Sequence, residues 1–241
     1  METKQSKIME KFAEYFKEVI YGGIDGIVTT FAVVAGFAGA ALSADATTQL
    51  SFVIVLLFGL ANLFADAASM GLGNFLSVRS EKDLYAVERA KELAQIRTDK
   101  PSEIEETLAL LKARGFSDTD ATTLTGIYQH NEEYWLDFMM HHEHEMPDPR
   151  SENEVFTGLA TFLSFMAFGS IPLLPFMVST SADPATVFTY SCIGTFLALV
   201  VLGLLKWKVV GGKLRSSLLE VVLVGGTAAI LAYYVGTFFA M

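Results

Sequence analysis

The chain has 241 residues, 52% of them hydrophobic and 18% charged, with 27 Asp and Glu against 17 Lys and Arg and a formal net charge of −10. The acidic balance argues against binding to nucleic acid or anionic lipid and leaves cations as the natural partners. A mean hydropathy of +0.42 beside so many charges requires the two to be segregated along the chain.

Taken in order, residues 1–17 are polar and amphipathic, and five apolar stretches follow at about 19–42, 50–77, 155–178, 186–205 and 217–240. Each meets the requirement of about 20 residues for crossing a hydrocarbon core of about 30 Å. The first is not a cleaved signal: a charged segment precedes it, no small-residue cleavage site closes a short apolar core, and Asp25 lies inside it. Cys192 is the one cysteine and falls within the fourth stretch, so an intrachain disulfide is excluded.

The basic residues give an orientation. Four precede the first stretch (Lys4, Lys7, Lys11, Lys17), nine run from Arg79 to Arg150, and four lie between the last two stretches (Lys206, Lys208, Lys213, Arg215). The connections around Asp45 and Asp183 contain none. Lys and Arg are retained on the cytoplasmic side during insertion. The N-terminus, the middle segment and the penultimate loop are therefore expected in the cytoplasm, and the C-terminus outside or in a lumen.

The expected organisation is an N-terminal segment with two spans (1–77), a polar domain (78–152) and three further spans (153–241). The polar domain carries 17 acidic and nine basic residues. Its pattern predicts three helices. The first continues the second span from Ser77 to Ile96, because no Gly or Pro interrupts it. Thr98–Pro101 then ends it, and Ser102 with Glu105 three residues on forms a capping-box arrangement for a second helix, closed by Gly115. The third starts near Asn131, has Glu132 and Glu133 in its first turn, and runs to Pro147, with Asp148-Pro149 as a linker.

An ionisable residue inside a span is expensive and by default faces a bundle interior or a water path, and two such residues stand out. Asp25 lies in Gly22-Gly23-Ile24-Asp25-Gly26 near the cytoplasmic end of the first span, and Asp66 lies in the cytoplasmic half of the second. Asn62, Asp66 and Met70 are spaced by four and share one helix face, a mixed oxygen and thioether set. The plainer alternatives are that Met70 fills space, Asn62 holds helices together, and Gly22 with Gly26 lets another helix come close.

In the polar domain, Glu103 and Glu106 share a face, Glu92 lies across a short turn from them, and Met139 and Glu143 are one turn apart. Such a carboxylate-rich set with Met and His at hand suits Fe²⁺, Mn²⁺ or Zn²⁺, although a solvated acidic surface would read the same way. His141, His142 and His144 crowd one helix end and look like a zinc ligand set, but they lack an i, i+4 pair. Neighbours on a helix point apart, and the role of these three stays open.

Asp25-Gly26-Ile27-Val28-Thr29-Thr30-Phe31-Ala32-Val33-Val34-Ala35-Gly36, then Ser69-Met70-Gly71-Leu72-Gly73-Asn74-Phe75-Leu76-Ser77, then Trp135-Leu136-Asp137-Phe138-Met139-Met140 with Glu143 and Pro147-Asp148-Pro149, resemble the vacuolar iron transporter family from about Val19 to the C-terminus. The resemblance implies an all-α membrane protein with five transmembrane helices and a cytoplasmic three-helix metal-binding domain. It further implies a homodimer with the ion path between protomers, and proton-coupled efflux of Fe²⁺, often with Mn²⁺, into a vacuole or out of the cell. The host membrane would be the cell membrane in a prokaryote and the vacuolar membrane in a eukaryote. Carried over by motif, Asp25 and Met70 match the membrane path, and Glu92, Glu103, Glu106, Met139 and Glu143 match the cytoplasmic ligands. Two positions depart: Gln95 and Asn62 stand where plant members carry Glu, and Asp66 supplies a carboxylate one turn beyond Asn62. Fungal and plant nodulin-like members have a reduced cytoplasmic domain, whereas this chain keeps the whole of it.

The expected function is thus a transporter and not an enzyme, with Asp25, Asp66, Met70, Glu92, Glu103, Glu106, Met139 and Glu143 as metal ligands. No resident cofactor is expected: the metal is cargo and protons are the counter-ion. A membrane-tethered metal sensor or buffer is the alternative, against which Asp25 and Asp66 speak, since an anchor has no use for them. A membrane-embedded hydrolase fits poorly, because no His and no Glu-x-x-His motif lies in a span.

Overall fold

The computed structural model describes residues 15–43, 52–178 and 184–239. The expected amphipathic start of the chain, except for its last three residues, and the lysine-free connections at Asp45 and Asp183 lie outside them. Regular structure among the described residues is helical throughout: α1 Phe16–Ser43, α2 Phe52–Thr98, α3 Lys100–Ala113, α4 Asp118–Tyr128, α5 Glu132–His142, α6 Glu154–Gly169, α7 Leu174–Val178, α8 Pro184–Val210 and α9 Leu214–Phe239. The chain divides into two compact units, residues 1–75 with 154–241, and residues 76–153.

In the first unit, five helical segments are long and apolar enough to cross a membrane: Phe16–Gly39, the start of Val53–Thr98, Glu154–Val178, Ala185–Val210 and Leu214–Phe238. The third is not one helix. A 3₁₀ turn at Ile171–Leu173 separates α6 from α7, because Pro172 has no N–H to continue the helical ladder.

Between apolar helices in lipid there is little hydrophobic drive, so close backbone contact and buried hydrogen bonds hold them. Gly26 shows the first: a Cβ there would lie 2.5 Å from the Phe165 carbonyl oxygen on α6. The small pair Gly22 and Gly26 therefore serves the packing of α1 on α6. The second is shown by Asn74 Nδ2, which donates to Thr161 Oγ1 at 2.8 Å, and by Ser164 Oγ, which donates to the Val19 carbonyl at 2.6 Å. Phe31, Leu63, Ala67, Phe165, Leu173 and Val187 form the apolar centre. Large side chains such as Leu57, Phe64 and Leu72 on α2, and Leu223, Leu231 and Phe238 on α9, are exposed. Acyl chains would solvate them at no cost.

The second unit holds the end of α2 with α3, α4 and α5, around Tyr85, Ile96, Leu111, Trp135, Leu136 and Met140. It differs from the sequence expectation at three places. The helix after the turn begins at Lys100, with Asp99 at its N-cap making no side-chain cap and Pro101 in the first turn. Ser102 lies inside the helix and its hydroxyl faces Glu106 Oε1 at 3.3 Å instead of capping. Proline is tolerated in a first turn because its missing N–H is not needed there. A helix absent from the prediction, α4, fills Asp118–Tyr128, capped by Ser117 Oγ accepting from the Asp120 N–H. Finally, α5 does start after an Asn131 cap as expected but stops at His142, well short of Pro147.

Candidate metal centre

Three segments of the second unit bring their acidic side chains to one place. The last turns of α2 carry Glu92, the first two turns of α3 carry Glu103 and Glu106, and the end of α5 carries Glu143. Arg89 braces α5 against α2 through ion pairs with Glu133 and with Asp137, the latter at 3.3 Å. Arg97 pairs with Glu132 at the start of α5. The carboxylates are thus held by a basic frame that does not itself neutralise them.

One donor oxygen from each of Glu103, Glu106 and Glu143 lies within 4.8 Å of the others, and a second group within the same limit combines Glu92, Glu143 and His144. Glu143 belongs to both. Glu92 and Glu103 are only 1% and 2% exposed. Each keeps one buried oxygen without a hydrogen-bond partner, Glu92 Oε1 and Glu103 Oε2. Burial, then a hydrogen bond with Glu92, then the charges of Glu92, Glu106 and Glu143 push the Glu103 carboxyl up to about 8. Burial, with Glu92 and Glu106 beside it, raises Glu143 as well, and His144 partly offsets this. Buried acceptors left unpaired are costly, and carboxylates this close cannot all ionise without a cation or a proton among them. The donor set therefore fits a divalent metal.

Met139 is fully buried one turn before Glu143. The Thr107 hydroxyl accepts from Trp135 Nε1 at 2.8 Å and has both the Glu103 carbonyl oxygen, at 2.7 Å, and the Met139 sulfur, at 3.3 Å, within donor reach. That ties the thioether to the helical turn carrying Glu103. Gln95 is exposed on α2.

Within the apolar unit, Asp66 accepts a 2.8 Å hydrogen bond from Asn62 Nδ2 one turn before it. Among the described residues, Asn62 is the one polar side chain lining a groove of about 680 Å³ that is otherwise made by residues such as Val33, Phe37, Phe58 and Val235. Met70, on the same face, packs against the apolar centre. Asp25 is half-buried and lines a different groove, of about 810 Å³, together with Lys17, Tyr21 and Lys206. Its backbone carbonyl accepts from Thr29 Oγ1 at 2.8 Å.

The VIT family matches residues 16–237, from the start of α1 to within two residues of the end of α9. The chain belongs to the VIT family. It is 33% identical over 237 residues to a vacuolar iron transporter of Toxoplasma gondii, covering 93% of this chain and 74% of that protein. It is 33% identical over 220 residues to a vacuolar iron transporter of Centaurea cyanus, covering 91% and 86%. With vacuolar iron transporter 1 of Arabidopsis thaliana the identity is 31% over 220 residues, covering 91% and 84%. The family is one of transporters and not of enzymes, and with five apolar helices this member is an integral membrane protein.

The sequence pattern did not single out His144 as a member of the cluster. The signal available was its place next to Glu143, which a continuous helix would have made irrelevant.

Proposed function

We propose that this protein exports Fe²⁺, and Mn²⁺ with it, from the cytosol in exchange for protons, as a homodimer. The observation that carries the reading is a carboxylate inside each of two apolar spans, Asp25 on α1 and Asp66 on α2, the latter oriented by Asn62. An ionisable group there is expensive unless it meets a cation or a proton in the course of function. The similar proteins are named iron transporters, which agrees with metal as the cargo.

On this reading the 76–153 unit faces the cytosol and its carboxylates gather the ion. Glu92, Glu103, Glu106 and Glu143 supply oxygens, and Met139 supplies a thioether that favours later transition metals over Mg²⁺ and Ca²⁺. Asp25, Asp66 and Met70 pass the ion across, and one aspartate takes a proton as the metal leaves. The host membrane is vacuolar in a eukaryotic cell and the cell membrane in a prokaryote.

The test is metal uptake into proteoliposomes, comparing Fe²⁺, Mn²⁺, Co²⁺ and Zn²⁺ with and without a pH gradient. Uptake of Fe²⁺ or Mn²⁺ that quickens when the interior is acidic supports the reading. Metal binding without any uptake would turn the protein into a tethered sensor or buffer.

A further inference from the structure

Of the donor atoms around the carboxylate cluster, the His144 imidazole is the one the acidic motifs do not account for. Its Nε2 lies 3.0 Å from Glu92 Oε2, while Glu92 Oε1 stays buried and without a partner. The end of α5 puts it there. In a continuing helix residues 143 and 144 would diverge by about 100°. Instead α5 stops at His142, the N–H groups of Glu143 and His144 both reach the Met139 carbonyl oxygen, at 2.8 and 3.3 Å, and Glu145 adopts a φ of 53°. The widened turn lets two consecutive side chains face Glu92 together, so that donor atoms of Glu92, Glu143 and His144 lie within 4.8 Å of one another.

Two cis ligands about 2.1 Å from a metal are separated by about 3.0 Å, using the usual metal–nitrogen and metal–oxygen lengths. The Glu92–His144 separation matches that edge. Resting on the metal-gathering role proposed above, we propose that His144 Nε2 is a metal ligand, sharing one divalent transition metal with Glu92 and Glu143. It makes that end of the cluster selective against Mg²⁺ and Ca²⁺. Carboxylates alone bind hard cations readily, whereas a neutral imidazole favours iron, zinc and their neighbours. The other group, Glu103, Glu106 and Glu143, remains an oxygen-only set. His141 is exposed and outside both groups, and His142 packs its ring edge-on against Phe138. Neither joins the metal.

The experiment uses the full chain in detergent with Mn²⁺ as a paramagnetic probe, reading ¹⁴N modulation of the electron spin echo, and calorimetry with Zn²⁺ and Mg²⁺. Wild type and His141→Ala are expected to show nitrogen coupling, and His144→Ala and His144→Gln to lose it. Zn²⁺ affinity should fall at least about tenfold in both His144 variants, a loss that even an outer-shell partner can cause, with Mg²⁺ affinity little changed. Nitrogen coupling that survives in His144→Ala, or reduced Zn²⁺ affinity without coupling in wild type, would overturn the proposal and leave His144 as a hydrogen-bond partner of Glu92. A wild-type protein binding neither Mn²⁺ nor Zn²⁺ would instead overturn the cluster reading on which it rests.

Discussion

Asn62 Nδ2 donates a 2.8 Å hydrogen bond to Asp66 Oδ2 across one turn of α2, inside an apolar span. A hydrogen bond to a charged group contributes about 1.5–3 kcal/mol, and here it also fixes the direction of the carboxylate. Asn62→Ala is expected to lower metal transport on the order of tenfold while leaving the protein folded, and Asp66→Asn to stop it. Met70→Leu should keep the flux and change the preference among Fe²⁺, Mn²⁺ and Zn²⁺. Initial uptake rates in proteoliposomes, compared metal by metal, check all three.

The spans were legible because hydropathy over about 20 residues is a strong signal and the lysines lie at consistent ends. Helix α4 was not. Asp118–Tyr128 is rich in threonine and buries only Ala121 and Thr125, so no apolar stripe announces it, and its Ser117 cap was the available sign. The break at Ile171–Leu173 was missed because hydropathy is blind to a single proline. For the site, spacing linked Glu103 with Glu106 and Met139 with Glu143, but that Glu92 and Glu143 converge on them depends on contacts across helices. The short turn between α2 and α3 already pointed to Glu92, whereas only the family resemblance pointed to Glu143 beside them. His144 escaped for a sharper reason: the helix that would have turned it away ends two residues earlier.

The Glu103 carboxyl titrates near 8 in the folded protein, above the range of about 4.3 for a free Glu. Its folded-state pKa is raised, so its contribution to stability is complete below about 4.3 and is lost as pH rises through about 8. Without metal, the 76–153 unit is therefore expected to melt at lower temperature at pH 8 than at pH 6. Glu103→Gln should flatten that dependence, and a bound divalent cation should do the same in the wild type. Trp135 fluorescence in a Trp207→Phe background, followed through thermal unfolding, reads this out.

Glu145 holds φ of 53°, a left-handed conformation that costs a non-glycine residue about 1–2 kcal/mol. Glu145→Gly is expected to stabilise the turn or leave it unchanged, while Glu145→Val destabilises it and weakens metal binding by disturbing His144. Melting temperature and Zn²⁺ calorimetry on the two variants distinguish these effects.

Gly26 and Gly73 make a paired test of the membrane packing. A Cβ at Gly26 meets the Phe165 carbonyl at 2.5 Å, whereas at Gly73 no neighbouring atom of the described residues lies within 4 Å. Gly26→Ala should destabilise the helical bundle by about 1–3 kcal/mol, the usual penalty for overpacking. Gly73→Ala should be neutral or stabilising, since Ala is the better helix former. Unfolding in mixed micelles ranks the two.

The most direct test of the ion path is Fe²⁺ uptake by Asp25→Asn proteoliposomes, run beside wild type with an acidic interior and a pH-sensitive dye. Wild type is predicted to accumulate Fe²⁺ faster as the interior is acidified, with the dye reporting protons leaving in step. The variant, eluting as the same oligomer, should show neither signal. Near wild-type Fe²⁺ flux through Asp25→Asn, or wild-type flux indifferent to the pH gradient, would contradict proton-coupled transport through Asp25.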